Sequence, residues 1–400
     1  MKESEKTYLE IDYSEHPGFS MYKSESPVDT NVIREVFSEI DTHLRLLFNT
    51  PDALPKRFVQ TYFNRQIDIL FNELEQGTLS IIGPSCWYTP IVPKALKRAR
   101  DLLLREAIYR NENKGIGPIP MRTSGNQDIG RKLSENGCGF LQLPKEEVAK
   151  LWTACQEFCP EVIAKREKMP WEVSATSLKS EGRHWELLMD MLKGHGVFEG
   201  LSQFHNCPMD PLYIALCQSS PSETWYKDCY ADVGLPTSQT AYMHFDGDFD
   251  AIKIILYLTE VGPANGPFSI IPRSRDLVRS YAQSVVLKYM DVSSEQVVEA
   301  DPKYDVKYRR RRFKFPDLRK EMMKLPAELR GTSHFGEDVV DGTPLSKTLL
   351  DREIICTTEE TNCVLFDGAQ MIHRGGIVEK GERWALQLSY KRAKSCAPIQ

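Results

Sequence analysis

Residues 240–258 read TAYMHFDGDFDAIKIILYL, and this stretch holds the most informative spacing in the chain, His244-x-Asp246. In an extended strand, successive side chains point to opposite faces, so side chains two positions apart lie close together on one face. The imidazole and the carboxylate are therefore predicted to point the same way. The apolar run from Ile252 to Leu258 follows and is typical of a buried strand. The stretch predicts a metal-binding strand beside a β core.

Two residues far downstream complete the predicted site. They are His373 and, ten residues later, Arg383. Two neutral imidazoles and one carboxylate on one octahedral face leave three coordination positions open. This arrangement suits Fe(II) that must hold a bidentate cosubstrate and O₂ together. A closed structural zinc site would not leave that room. His244, Asp246 and His373 are accordingly predicted to be the ligands of a mononuclear iron.

The strand-like run at 383–391 predicts a role for Arg383. Alternation along a strand divides this run into one polar and one apolar face. The polar face carries Arg383, Ala385, Gln387 and Ser389, and the apolar face carries Trp384, Leu386, Leu388 and Tyr390. A buried arginine needs an anion because guanidinium keeps its charge. The distal carboxylate of a 2-oxo acid that chelates the iron is the natural partner, with a surface salt bridge as the alternative for Arg383 considered alone.

Composition narrows the class of protein. The chain has 400 residues, 27% of them charged, and a net charge of −5. It is long enough for one large domain with additions or for two domains, and it lacks the basicity of a nucleic-acid-binding protein. No apolar run approaches the roughly 20 residues of a membrane helix, and the charged N-terminus lacks a signal core. A cytoplasmic protein is expected. Ten cysteines without a Cys-x-x-Cys pair favour reduced, buried thiols over a zinc site.

The hydrophobic pattern predicts an α+β protein with a mainly β core. Residues 1–128 read as a mostly helical extension, and residues 129–400 as a β domain with a helical, charged insertion at about 276–349. Strand-like runs occur at 212–217, 240–246, 252–258, 268–272, 352–357, 362–366, 370–374 and 383–391. Multiple short strands favour a β-sandwich or barrel, and the lack of regularly alternating helices argues against a doubly wound sheet.

The insertion contains a strongly basic segment. Residues 303–324 hold ten Lys or Arg against three Asp or Glu, centred on Arg309-Arg310-Arg311-Arg312. Such a run is commonly a solvated helix face or loop. It is also compatible with a lid that meets an anionic small-molecule substrate, whereas nucleic acid is a weaker partner because the patch is short and the chain acidic.

An ordered set of motifs over roughly residues 130–392 resembles the phytanoyl-CoA dioxygenase family of Fe(II)/2-oxoglutarate oxygenases. The set is Gly137 to Pro144, Glu146-Glu147, His244-x-Asp246, Asn265-Gly266-Pro267-Phe268, His373 and Arg383. The resemblance implies a double-stranded β-helix, or jelly-roll, cupin-like barrel with flanking helices. It implies that His244, Asp246 and His373 bind Fe(II) and that Arg383 anchors 2-oxoglutarate. It also implies that Tyr257 lies where relatives often have an aromatic side chain near the cosubstrate.

The same resemblance defines an expected reaction. Family members couple the decarboxylation of 2-oxoglutarate to succinate and CO₂, using O₂, with oxidation of a substrate C–H bond. Related halogenases replace the ligand carboxylate with a small residue, so Asp246 favours hydroxylation, desaturation or cyclisation, and a role in specialised-metabolite biosynthesis would fit. The chain departs from the family at Pro272-Arg273-Ser274-Arg275, at Gly375 and in the long segment between Asp246 and His373. Its first 128 residues match no part of the family pattern.

Several alternatives remain open at this point. A catalytically silent β-helix domain could bind a ligand or a partner, and a cupin-type enzyme could act without a 2-oxo acid. The N-terminal helices could form a homodimer interface, pack on the barrel or cover the site. A calcium loop starting at Asp246 is rejected because its sixth and twelfth positions would be Ala251 and Tyr257. His334 in the insertion is interpreted as a surface or core histidine.

Overall fold

The computed structural model describes residues 30–49, 53–112, 129–168, 173–205, 207–221, 243–246, 251–301, 303, 316–330, 344–376 and 378–393. Two compact units divide the chain. The first holds the described residues within 118–274 and 341–397, and the second holds those within 14–117 and 275–340.

All the strands of the described segments lie in the first unit, in two antiparallel sheets. They are β1 Cys138–Leu141, β2 Val173–Ser177, β3 Met209–Ser219, β4 Ala251–Tyr257, β5 Phe268–Ile271, β6 Ile354–Cys356, β7 Cys363–Asp367, β8 Ile372–Arg374 and β9 Arg383–Arg392. The large sheet has the order β1-β7-β4-β9-β3-β2, and the small one β6-β5-β8. Every pairing in both sheets is antiparallel.

The two faces of the large sheet have different neighbours, because successive side chains along β4 and β9 point to opposite faces. Ile254, Leu256 and Leu386 belong to an outer apolar cluster that also contains helix residues. Tyr257 and Ala385 belong to an inner cluster shared with the small sheet. The sheets therefore meet at the inner face, and helices cover the outer one. The helices of this unit include Ile129–Asn136, Lys145–Cys155, Cys159–Lys168, Arg183–Gly194, Val197–His205 and Pro344–Leu350.

The second unit is helical. It contains Asn31–Asn49, Lys56–Phe58, a π-helical turn Val59–Phe63, Asn64–Ile82, Val92–Glu112, Tyr281–Ala300 and Pro316–Met322, and the short helix Ser274–Val278 begins at its border. Buried polar contacts join its two sequence segments. Asp41 Oδ1 accepts the backbone N–H of Ala282 at 3.1 Å, and a carboxylate oxygen of Glu321 accepts that of Trp87 at 2.8 Å. The N-terminal helices and the insertion thus form one unit, although the sequence presents them as separate additions.

The predicted mixture of helices and strands is confirmed, and the strands form antiparallel sheets, whereas the double-stranded β-helix barrel stays a prediction. The structure places strands at or near most of the predicted runs, but the short polar strand β2 and the helices Arg183–Gly194 and Val197–His205 were missed. No helix in the described segments is long and apolar enough to cross a membrane. The predicted boundary near residue 128, the arginine run at 309–312 and His334 lie outside the described residues.

Candidate metal centre

Backbone pairing brings the predicted ligand residues together. The N–H of His244 donates to the carbonyl of His373, and the N–H of His373 donates to the carbonyl of His244, both at 3.0 Å. Asp246 N–H donates to the carbonyl of Gly368 at 2.8 Å, on the turn between β7 and β8. The segment from His244 to Asp246 therefore runs beside β8, which in turn pairs with β5. His244 and His373, which are 373 − 244 = 129 positions apart in sequence, meet because backbone pairing places them side by side.

The three side chains converge on one point. Each offers one donor atom, and these atoms all lie within 4.8 Å of one another. His373 Nε2 is 3.4 Å from Asp246 Oδ2, and His244 Nε2 is 3.9 Å from Asp246 Oδ1. His373 Nδ1 is 2.9 Å from the carbonyl oxygen of Met371. A proton on Nδ1 satisfies that carbonyl and leaves the Nε2 lone pair for a metal.

Gly368 makes room for the carboxylate. A Cβ built on Gly368 would overlap Asp246 Oδ2 and crowd the rest of its carboxyl group. The constraint is the close approach of the side chain to the backbone, since the φ of Gly368 is outside the left-handed region. A larger residue at position 368 would therefore force the carboxyl group of Asp246 or the backbone of the turn to move.

The carboxyl group of Asp246 is largely buried among cationic or potentially cationic groups. Burial by itself raises its pKa, but His373, Lys253 and His244 outweigh that effect and hold the pKa well below its usual range. Lys253, on β4, has its Nζ 2.8 Å from Asp246 Oδ2. The carboxylate is therefore ionised at neutral pH, as a metal ligand must be.

Arg383, at the start of β9, is buried without a counter-ion among the described residues. Arg383 is only 8% exposed, and its Nη2 donates to Ser219 Oγ at 2.9 Å. Nη1 is buried and makes no hydrogen bond within the described part of the chain. A guanidinium cannot lose its charge, so a buried one with open donors is suited to binding an anion.

Tyr257 connects the two sheets. Its hydroxyl donates to the carbonyl of Cys356 at 2.9 Å and accepts the N–H of Phe268 at 2.8 Å. Both contacts lie in the small sheet, whereas Tyr257 belongs to the large one. The predicted proximity of Tyr257 to a cosubstrate stays a prediction, and such a contact would involve its ring because the hydroxyl is engaged by the backbone.

Three residues of the centre were missed in the sequence: Lys253, Gly368 and Ser219. Lys253 carried a usable signal, since it is a lone cation in the apolar run AIKIILYL. A charged residue in the middle of a central strand requires a partner. Gly368 and Ser219 carried none, because their roles depend on strand register.

Comparison with known proteins adds limited information. No protein-family model and no curated protein matches the chain. Among solved structures, the non-heme alpha ketoglutarate dependent carbocyclase SnoK from nogalamycin biosynthesis is 13% identical, with a TM-score of 0.37 over 68% of this chain and 85% of that one. The corresponding epimerase SnoN is 11% identical, with a TM-score of 0.36 over 66% and 80%. EctD from S. alaskensis, with 2-oxoglutarate and 5-hydroxyectoine, is 13% identical, with a TM-score of 0.36 over 69% and 81%.

Proposed function

We propose that this protein is a non-haem Fe(II)/2-oxoglutarate-dependent oxygenase of the phytanoyl-CoA dioxygenase type, with a double-stranded β-helix core. The observation that carries the proposal is the convergence of His244, Asp246 and His373 within 4.8 Å in a unit that also buries Arg383. Nη1 of Arg383 has no hydrogen-bond partner among the described residues. Two imidazoles and one carboxylate are the donor set of the facial triad of such enzymes. The space at Gly368 lets the Asp246 carboxylate take a metal-binding position. The free donor of Arg383 is suited to the carboxylate of the cosubstrate.

The residues have separable tasks in this proposal. His244, Asp246 and His373 would hold Fe(II) and leave three positions open for 2-oxoglutarate and O₂. Arg383 and Ser219 would bind the distal carboxylate of 2-oxoglutarate and so orient its 2-oxo acid end toward the metal. When bound, Fe(II) with 2-oxoglutarate and O₂ supplies the oxidation of a substrate C–H bond, with succinate and CO₂ as coproducts.

The apolar inner face has a protective task. Phe268 and Phe366 pack against the ring of His373, with centroid separations of 5.8 and 4.7 Å. Aromatic rings on this side keep water from the imidazole and restrict its rotation. Asp246 and the two histidines are then held in one arrangement by backbone pairing, packing and the close fit at Gly368.

Asp246 and the basic segment at 303–324 bear on the reaction type and the substrate class. Because Asp246 keeps the carboxylate position, hydroxylation or another C–H oxidation, such as desaturation or cyclisation, is favoured over halogenation. A small anionic or carrier-linked metabolite is proposed because residues 303–324 are so basic. The enzyme is proposed to be cytoplasmic and to form a homodimer.

The decisive experiment measures succinate formation. Purified protein with Fe(II), ascorbate and 2-oxoglutarate under air should produce succinate, slowly without substrate and faster with the right one. His373→Ala should abolish this turnover. His184→Ala is the matched control, because His184 is a buried histidine on an outer helix whose Nε2 bonds the carbonyl of Lys179. Metal-loaded protein that forms no succinate across a broad panel of small acids, but binds one of them, would identify a binding protein instead.

A further inference from the structure

Lys253 is the one charged residue of β4, a central strand of the large sheet. It lies on β4 between Phe366 of β7 and Ser389 of β9. Its side chain is 17% exposed, and its Nζ lies 2.8 Å from Asp246 Oδ2. Within the described part of the chain, Asp246 is the ion-pair partner of Lys253 and no other is present.

The ammonium of Lys253 lies where it would repel a metal ion bound by Asp246. A divalent cation bound to Asp246 would share the carboxylate with Lys253 and lie a few ångströms from a unit positive charge. Charges this close in a partly buried site interact strongly, because the effective dielectric is far below that of water. The lysine also competes for the carboxylate when no metal is present. Both effects lower the affinity of the site for a metal alone.

An anion beside the metal would reverse this penalty. A lysine ammonium has three N–H donors, and the ion pair with Asp246 Oδ2 at 2.8 Å occupies one side of it. The remaining donors can reach an anionic group bound next to the metal while the contact with Asp246 persists. Negative charge there is attracted by the metal and the ammonium together, so it offsets the repulsion between them.

From this geometry we infer that Lys253 is a positioning residue that makes metal retention depend on a small carboxylate bound alongside the metal. Lys253 Nζ contacts Asp246 Oδ2, the oxygen that also lies 3.4 Å from His373 Nε2, so the ammonium lies beside the ligand cluster. The site binds a divalent cation weakly by itself and tightly with a carboxylate ligand. The inference rests on the proposed function, because it requires that His244, Asp246 and His373 bind a metal.

The test uses Mn(II) as the metal and oxalate as the anion. Oxalate chelates a metal but lacks the distal carboxylate that Arg383 would bind, so the measurement isolates Lys253. Mn(II) dissociation constants, from the electron paramagnetic resonance signal of the free ion, are compared with and without oxalate for wild type and Lys253→Met. We expect Lys253→Met to bind Mn(II) about tenfold more tightly without oxalate, and to lose most of the strengthening by oxalate seen in wild type.

Two further variants control the measurement. Lys253→Arg keeps the charge and should keep the dependence on oxalate. Lys391→Met removes a charge from β9 two positions beyond Ser389, the residue opposite Lys253, and should behave as wild type. The inference would be overturned if wild type and Lys253→Met had equal Mn(II) affinities and equal oxalate effects. It would also be overturned if Lys253→Met bound Mn(II) more weakly than wild type. Either result would leave the proposed function intact. Failure of the folded wild-type protein to bind Mn(II) with or without oxalate would overturn both.

Discussion

Two buried arginines, Arg374 and Arg383, have opposite surroundings in one unit of this protein. Arg374 on β8 forms an ion pair with Glu353 at 2.8 Å, and both side chains are nearly inaccessible to solvent. Arg383 on β9 contacts the hydroxyl of Ser219 and has no carboxylate partner among the described residues. Burying a charge is costly in both cases, but only Arg374 has its compensation built into the fold. The comparison distinguishes a cation that maintains the structure from one that is available to a ligand.

The largest expected effect follows from removing the counter-ion of Arg374. Glu353→Gln leaves a buried guanidinium without its carboxylate and weakens the hydrogen bond from Ser269, now 2.6 Å. We expect a loss of about 3–5 kcal/mol in the free energy of unfolding, measured by urea denaturation with circular dichroism. Glu135→Gln, which breaks the exposed pair of Arg131 and Glu135, should cost less than about 1 kcal/mol. Similar losses for the two variants would show that burial does not distinguish the pairs.

Replacing Arg383 is expected to affect the binding of 2-oxoglutarate and not the stability of the fold. Arg383→Leu removes a buried charge that lacks a counter-ion, so the protein should unfold at the same or a higher urea concentration. The affinity for 2-oxoglutarate should fall by about 2–4 kcal/mol, because a charge-assisted and potentially bidentate contact is lost. Calorimetric titration of the Mn(II)-loaded protein measures this. Unchanged affinity would indicate that the 2-oxo acid is not bound by Arg383, as in a cupin-type enzyme.

Gly368→Ala tests whether the position of the Asp246 carboxylate is needed for metal binding. The added methyl group overlaps the carboxylate of Asp246, so either the side chain or the strand must move. We expect Mn(II) affinity to fall by about 10–100-fold, as is usual when the support of a ligand is disturbed. Gly139→Ala is a suitable control because a Cβ there meets only Ile129, at an ordinary 4.0 Å. Full metal affinity in Gly368→Ala would mean that Asp246 is not a ligand in this position.

The smallest effect is expected at Ser219. Ser219→Ala removes the hydroxyl that accepts from Arg383 Nη2 at 2.9 Å and leaves the charge in place. The affinity for 2-oxoglutarate should fall by about 1 kcal/mol, roughly fivefold, since one hydrogen bond that orients the guanidinium is lost. The same calorimetric titration measures it. A loss as large as that of Arg383→Leu would assign the main contact to the serine.

The sequence predicts individual strands better than their arrangement. Period-two alternation in runs such as Ile252 to Leu258 identifies buried strands because side-chain burial itself has that period. The strand β2, VSATS, was missed because its buried positions hold Ser174 and Thr176 instead of apolar side chains. Strand register, which places Ser219 opposite Arg383, depends on many pairings at once and leaves no local signal. The ion pair of Lys253 with Asp246 also joins two segments whose contact no single-sequence pattern specifies.

The candidate site was predictable to a similar degree. His244, Asp246 and His373 were found because a metal demands particular residue types, and the structure brings these three together. Arg383 was found because it stands ten residues after His373 at the start of a strand, where a buried guanidinium requires an anion. The steric requirement at Gly368 could not be found, since nothing in the sequence shows which side chain approaches that backbone. The roles of these residues in catalysis stay predictions until the variants are measured.

The mutual backbone pairing of His244 and His373 makes the assembly of the centre observable without any metal. Each amide proton is held by the other residue's carbonyl, so exchange of either with deuterated solvent requires the same local opening. The two amides should therefore exchange at similar rates and slow together when a ligand closes the pair. A peptide-resolved exchange measurement on the metal-free protein thus reports how much of the time the histidines are already in place.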